Sequence, residues 1–283
     1  MIATTDFKSV IDQYQVIFFD SFGVIKNYKG LVPGIENTFA YLEEQQKDYY
    51  IVTNDASRSP LQLAHSFNKL GLDHITPDKV ISSGMLAKEY LDLKVNDGIV
   101  AFLGTPDSAH YLDSSGLHVL PLSAINDDNI SQVNALVFMD DEGFDWFQDL
   151  NKAVNLLRKR SIPAIVANAD DAYPISKQDV SIAIGALAGM IERITGKKFI
   201  RFGKPDSQMF TFAYELVRQS RSSVNKKDIL MVGDTLHTDI LGGNKFGLDT
   251  VLVFTGNTLH HDAETHINAT GILPTHICES AVV

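Results

Sequence analysis

The chain has 283 residues, about twice the ~150 of a typical domain, so one large domain or a core with an insertion is expected. Apolar residues make up 45% and charged residues 21%, a composition that excludes collagen-like, low-complexity and disordered classes. Twenty-four Lys and Arg face 35 Asp and Glu, a formal charge of −11; so acidic a chain repels polyphosphates at long range, which argues against a nucleic-acid partner but not against a small phosphorylated metabolite.

Residues 1–14 carry Asp6, Lys8 and Asp12 with no apolar signal core and predict a short helix before the first strand. Short runs rich in Val, Ile and Phe at 16–19, 49–53, 98–103, 135–139, 163–167, 229–232 and 250–254 predict buried strands. Amphipathic stretches at 34–46, 60–70, 146–160, 206–218 and 237–246 predict helices, and Ser59-Pro60-Leu61-Gln62 reads as a capping box. This alternation predicts an α/β fold with parallel strands joined by crossover helices. The longest apolar stretch, 180–191, falls short of the ~18 residues that span a bilayer, so no membrane association is expected. Cys278 is the only cysteine, so no internal disulfide can form, and a reducing, cytoplasmic location is expected.

Polar groups gather after Phe19, after Val52, around Lys204 and after Val232, where ligands bind in open parallel sheets. The strands between 98 and 167 end in no comparable set. Residues 83–199 therefore read as a second α/β unit inserted into a core made of 1–82 and 200–283.

Four separated pieces carry the chemistry: Val16-Ile17-Phe18-Phe19-Asp20-Ser21-Phe22-Gly23-Val24, Ile51-Val52-Thr53-Asn54, Gly203-Lys204-Pro205, and Met231-Val232-Gly233-Asp234 with Asp239. A carboxylate directly after an apolar strand can attack phosphorus if a divalent cation and a lysine neutralise the incoming phosphate. Asp20 with Asp234 can bind Mg²⁺ through hard oxygens, while Lys204 and Thr53 can hold phosphoryl oxygens.

These pieces resemble the haloacid dehalogenase superfamily, in particular the class IIA phosphatases related to NagD, nitrophenyl phosphatases and phosphoglycolate phosphatases, over nearly the whole chain. Gly233-Asp234-Thr235-Leu236-His237-Thr238-Asp239-Ile240 matches that family's G-D-x-x-x-T-D-I in full. The resemblance implies a Rossmann-like core with an inserted α/β cap that closes over a small phosphomonoester such as a sugar phosphate. It implies Asp20 as the nucleophile forming an aspartyl-phosphate, and Thr53 and Asn54 as phosphoryl ligands. Lys204 would stabilise the transferring charge, Asp234 would ligate Mg²⁺, and Asp239 would support the metal or Lys204. Asn168-Ala169-Asp170 stands where the family often has an N-P-D loop reaching towards the substrate, with the Pro missing. A homodimer through the cap is a candidate assembly.

One position departs from the pattern: the second Asp of D-x-D is Phe22. In the resembling phosphatases that Asp protonates the leaving alcohol and activates the hydrolytic water, and Phe can do neither. The metal ligand supplied from this position is its backbone carbonyl, so Phe22 keeps Mg²⁺ binding open. Loss of a general acid/base costs about 10²- to 10⁴-fold, and the alternative reading is a slow or inactive phosphometabolite-binding, regulatory protein.

Other groups have plainer readings. Asp55, beside the phosphoryl-binding pair, is read as a solvated loop carboxylate, with replacement of the missing acid as the competing role. His237 reads as a helix-start surface residue, and Asp140, Asp141 and Glu142 as an exposed cap loop. His260, His261 and His266 with Asp262 and Glu264 do not place three ligands on one helical face. Arg58 and Arg201 are either phosphate contacts or surface cations.

Overall fold

A computed structural model describes residues 2–113, 116–176 and 179–283. Six strands form one fully parallel sheet in the order His276–Cys278, Asp249–Val253, Ile229–Gly233, Val16–Phe19, Asp48–Thr53, Val80–Ser82. A second parallel sheet runs Ile200–Arg201, Ala164–Val166, Val133–Phe138, Ile99–Leu103, His118–Pro121. The runs expected as strands lie in these two sheets. Four further strands, 80–82, 118–121, 200–201 and 276–278, lie at sheet edges, and Ile200–Arg201 pairs with Ala164–Val166 just beyond the boundary expected at 199.

The central strand shows why continuous apolar runs are needed. Its side chains alternate between faces: Val16 and Phe18 enter one buried cluster, Ile17 and Phe19 another. On the second face, the helices Ile35–Glu44 and Pro60–Asn68 bury Phe39, Leu42, Leu63 and Phe67. The capping box of Ser59 and Gln62 forms, with Pro60 in the first turn. On the first face, Ser83–Lys94 and Ser207–Ser220 contribute Leu86, Leu91, Met209 and Phe210 to a cluster that continues into Val100, Phe102, Ala135 and Val137 of the second sheet. One continuous apolar layer thus joins the two sheets. The far face of the second sheet is covered by Trp146–Lys159 and Ile184–Thr195.

The stretch expected as one helix over 237–246 divides into a wide turn at Leu236–Ile240 and a short helix, Leu241–Phe246. The Thr235 carbonyl accepts from the N–H groups of both Asp239 (3.1 Å) and Ile240 (3.4 Å), and this widened turn carries Asp239 back beneath the strand ends. Among the described residues no helix is long and apolar enough to cross a membrane.

Candidate active site

The site sits where strand order reverses. Val16–Phe19 pairs with Ile229–Gly233 on one side and Asp48–Thr53 on the other, with Phe19 opposite both Val232 and Ile51. Residues following these strands must therefore emerge side by side at the carboxyl ends, the ligand-binding position of open parallel sheets. Asp20 leaves the first strand, Thr53 ends the second and Asp234 follows the third. Gly203-Lys204-Pro205 approaches from the return of the second sheet.

Lys204 is the hub. Its side chain is 2% exposed, and its Nζ lies 2.6 Å from Asp20 Oδ1 and 2.6 Å from Asp239 Oδ1. Burial opposes its charge, but these two carboxylates outweigh burial and raise its pKa, so it stays a cation. Burial pushes the Asp20 carboxyl up to about 6, against the pull of Lys204 and with the push of Asp239. Asp234, fully buried, is driven well above the ordinary carboxylate range by burial and then by Asp239 and Asp20.

Asp20, Asp234 and Asp239 present oxygens within 4.8 Å of one another, and this is the one such group of potential metal ligands among the described residues. Two buried carboxylates and a partly buried one against one ammonium leave an excess of negative charge that a divalent cation would neutralise, and the ligands are all hard oxygens. Space around Asp234 is reserved by glycine. A Cβ on Gly256 would stand 1.9 Å from Asp234 Oδ2, and one on Gly23, at φ +88°, would stand 2.2 Å from it. The donor set and this cradle fit a bound cation.

Asp234 is held by Asn257 N–H on Oδ2 and by the Thr235 hydroxyl on Oδ1 at 3.1 Å, and Asn257 Nδ2 donates to that hydroxyl at 2.8 Å. Asp239 spends Oδ1 on Lys204 and accepts from Thr235 N–H on Oδ2 at 3.1 Å, so it anchors the lysine. Sequence reasoning missed Asn257 and Thr235; their signal is the Gly256-Asn257 turn after the strand Asp249–Val253. It also missed Lys26, half-buried beside Phe22, whose charge burial disfavours while Asp55 and Asp20 support it and Arg58 opposes it.

The Asn54 side chain has a structural role beside the phosphoryl contact expected of this residue. Its Oδ1 accepts from Lys204 N–H at 2.7 Å, while Nδ2 donates to the Lys204 carbonyl at 3.0 Å and to Asp170 Oδ1 at 2.8 Å. Both side-chain amide hydrogens are spent, so the Asn54 side chain clasps Lys204 and the second sheet's loop. The Thr53 hydroxyl accepts from Asp55 N–H at 3.2 Å and keeps its own hydrogen to donate. The Asn168 Oδ1 accepts from Asp170 N–H at 2.9 Å, a side-chain turn that shapes the loop where Pro is absent.

A cleft of about 380 Å³ opens over this centre, walled by Asp20, Phe22, Asp170, Tyr173, Lys204 and His237 among others. His237 thus faces the cleft rim, not a remote surface. The acidic run after the strand Val133–Phe138 is not the expected exposed loop. Asp141 is buried and accepts from the Tyr173 hydroxyl at 3.0 Å, while Asp140, pushed up to about 6 by burial and then by Asp141, Asp55 and Glu142, accepts from Thr105 at 3.3 Å; only Glu142 is exposed. Asp55 serves its own loop, its Oδ1 accepting from Ser57 N–H at 2.9 Å and the Ser57 hydroxyl at 2.6 Å.

Both arginines lie elsewhere. Arg201 pairs with Glu192 at 3.0 Å, and Arg58 is exposed, with its carbonyl accepting from Tyr111. The histidines of the last helix disperse, His260 to Glu279 and His261 to Asp262.

Comparison with known proteins agrees with this geometry. A haloacid dehalogenase-like hydrolase family matches residues 17–118, and a related hydrolase-like family matches 201–281. A solved structure described as a possible sugar phosphatase of the HAD superfamily, from Cytophaga hutchinsonii, is 68% identical over 100% of this chain and 99% of its own, with a TM-score of 0.96. Chronophin from Mus musculus is 29% identical, covering 93% of this chain and 88% of its own. The p-nitrophenyl phosphatase from Archaeoglobus fulgidus shares the fold at 22% identity, with a TM-score of 0.79 and coverage of 95% and 97%. With two family matches at the strand ends that build the site, and a relative this similar along its whole length, the chain belongs to the haloacid dehalogenase-like hydrolases, in their class IIA phosphatase branch.

Proposed function

We propose that the protein is a Mg²⁺-dependent phosphatase that hydrolyses a small phosphomonoester, such as a sugar phosphate, through an aspartyl-phosphate on Asp20. The observation that carries this reading is the contact of Lys204 with Asp20 at 2.6 Å beside buried Asp234 at neighbouring strand ends. Asp20, Asp234 and the Phe22 carbonyl would hold Mg²⁺, with Asp239 behind them. The bound cation would supply Lewis-acid neutralisation of the phosphoryl oxygens. Lys204, kept charged by two carboxylates, screens the approach of a dianionic phosphate to Asp20. Thr53 donates to a phosphoryl oxygen, and Asn54 fixes the Lys204 backbone.

The second sheet, with its loop at 168–171, acts in this reading as a cap that walls the cleft. Lys204 is the only Lys or Arg among the described residues that line that cleft, and it is already engaged by two carboxylates. Among the described lining residues no cation is left over for a second anionic group, which favours a neutral, hydroxylated leaving group; the relative from Cytophaga hutchinsonii, described as a possible sugar phosphatase, points the same way. The test is Mg²⁺-dependent phosphate release from p-nitrophenyl phosphate, a panel of polyol and sugar phosphates, and carboxylate-bearing phosphates such as phosphoglycolate. Preference for the neutral polyols is expected; no release from any member would refute the reading.

A further inference from the structure

Phe22 lines the cleft with an aromatic ring at the position from which a carboxylate would exchange protons with the leaving oxygen. Besides Asp20 and Lys204, whose ammonium is held by two carboxylates, the titratable described side chains there are Asp170, Asp171, Tyr173 and His237. Tyr173 commits its hydroxyl to Asp141. Asp171 and His237 are exposed at the rim.

Asp170 stands apart from these. Asn54 Nδ2 donates to its Oδ1 at 2.8 Å, and among the described residues no hydrogen bond engages its Oδ2. The same Asn54 amide grips Lys204 through N–H and carbonyl at 2.7 and 3.0 Å, and Lys204 touches Asp20. One rigid side chain therefore ties Asp170 to the nucleophile's cation. The loop itself is fixed by Asn168 on Asp170 N–H and by Gly185 N–H on the Asp170 carbonyl at 3.1 Å. Burial raises the Asp170 carboxyl to about 6; Asn54 and Lys204 pull against this, and Asp20 and Asp55 reinforce it. That value places both protonation states within reach near neutral pH.

We propose that Asp170, on the loop that walls the cleft from the second sheet, is the general acid and base that replaces the carboxylate missing at Phe22; this rests on the phosphatase reading above. In the first step an Asp20 oxygen bonds to phosphorus, the bond from phosphorus to the leaving oxygen breaks, and the Asp170 proton passes to that oxygen. In the second step the Asp170 carboxylate takes a proton from water. The water oxygen bonds to phosphorus and the bond to Asp20 breaks, releasing inorganic phosphate and leaving Asp170 protonated again.

The test is Asp170→Asn, which keeps the volume and an oxygen for Asn54. With an alkyl phosphate, first-turnover and steady-state rates are both expected to fall about 10²- to 10⁴-fold. With p-nitrophenyl phosphate, whose leaving group needs no proton, the variant is expected to show a burst of nitrophenolate followed by slow turnover as the aspartyl-phosphate accumulates. Adding Phe22→Asp to Asp170→Asn is expected to recover alkyl phosphate turnover at least tenfold. Unchanged alkyl phosphate kinetics, or an equal loss on both substrates with neither burst nor rescue, would overturn the assignment while leaving the phosphatase reading intact. A wild-type protein that releases phosphate from neither substrate would overturn both. If the amide variant does not fold, Asp170→Ser carries the same expectations.

Discussion

Replacing Asp234 by Asn tests the electrostatics of the centre without relying on turnover. Asp234 is fully buried, and it presents an oxygen within 4.8 Å of one from each of Asp20 and Asp239, with Lys204 the only cation among the described residues paired with the group. Two unit charges at that separation, with an effective dielectric of about 20, repel by about 3 kcal/mol. Without divalent cation, Asp234→Asn should therefore stabilise the protein by about 3 kcal/mol, or roughly 5–10 °C in Tm for a chain of this size. The amide can still accept from Asn257 N–H and meet the Thr235 hydroxyl, so no buried partner is orphaned. The raised pKa of Asp234 sets the pH dependence. A carboxyl whose folded pKa lies above its unfolded value contributes stability below the unfolded pKa and loses it as pH rises through the folded pKa. The gap between variant and wild type should widen as pH rises above the ordinary carboxylate range. Adding Mg²⁺ should invert the order, raising the wild-type Tm and leaving the variant unmoved. Thermal unfolding with chelator and across a Mg²⁺ series reads both effects. A variant that melts lower than wild type in chelator, or that keeps the full Mg²⁺ response, would refute the charge-excess account.

Asp20→Asn should abolish phosphate release with Tm retained; residual wild-type turnover would exclude Asp20 as the nucleophile. Gly256→Ala places a methyl group 1.9 Å from Asp234 Oδ2, and should weaken Mg²⁺ stabilisation in the melting assay more than it lowers Tm in chelator. Tyr173→Phe removes the hydrogen bond to Asp141 from the cleft wall, and should raise KM with little change in kcat in steady-state assays. Ser59→Ala removes the capping box of Pro60–Asn68; denaturant unfolding should show a loss of about 1 kcal/mol with normal turnover.

The residues at the strand ends were legible because sequence and geometry coincide there: a carboxylate directly after a buried parallel strand emerges at the sheet's carboxyl end, and Asp20 and Asp234 follow adjacent strands. The central strands were legible for the same reason, being short, apolar and buried on both faces. Edge strands such as His118–Pro121 carry no such run, since half of that strand faces solvent. The task of an amide is less visible still. Asn54 was read beside Thr53 as a phosphate ligand, yet its partners come from residues 116 and 150 positions away. Asp141 is indistinguishable from Asp140 and Glu142 in sequence, and only Tyr173, 32 residues on, decides which of the three is buried.

The Asn54 clasp also bears on how the chain folds. Its three hydrogen bonds close loops of more than a hundred residues, whereas the strand pairs Val16–Phe19 with Asp48–Thr53 and Asp48–Thr53 with Val80–Ser82 join segments about thirty apart. Contacts that enclose long loops pay the largest closure entropy and are rewarded only once the intervening structure is compact. The catalytic centre, like the pairing of Val16–Phe19 with Ile229–Gly233 across more than two hundred residues, should consequently become ordered late in refolding. Recovery of turnover should lag the return of helical and strand signal, so a preparation can look folded by circular dichroism while still lacking a working site.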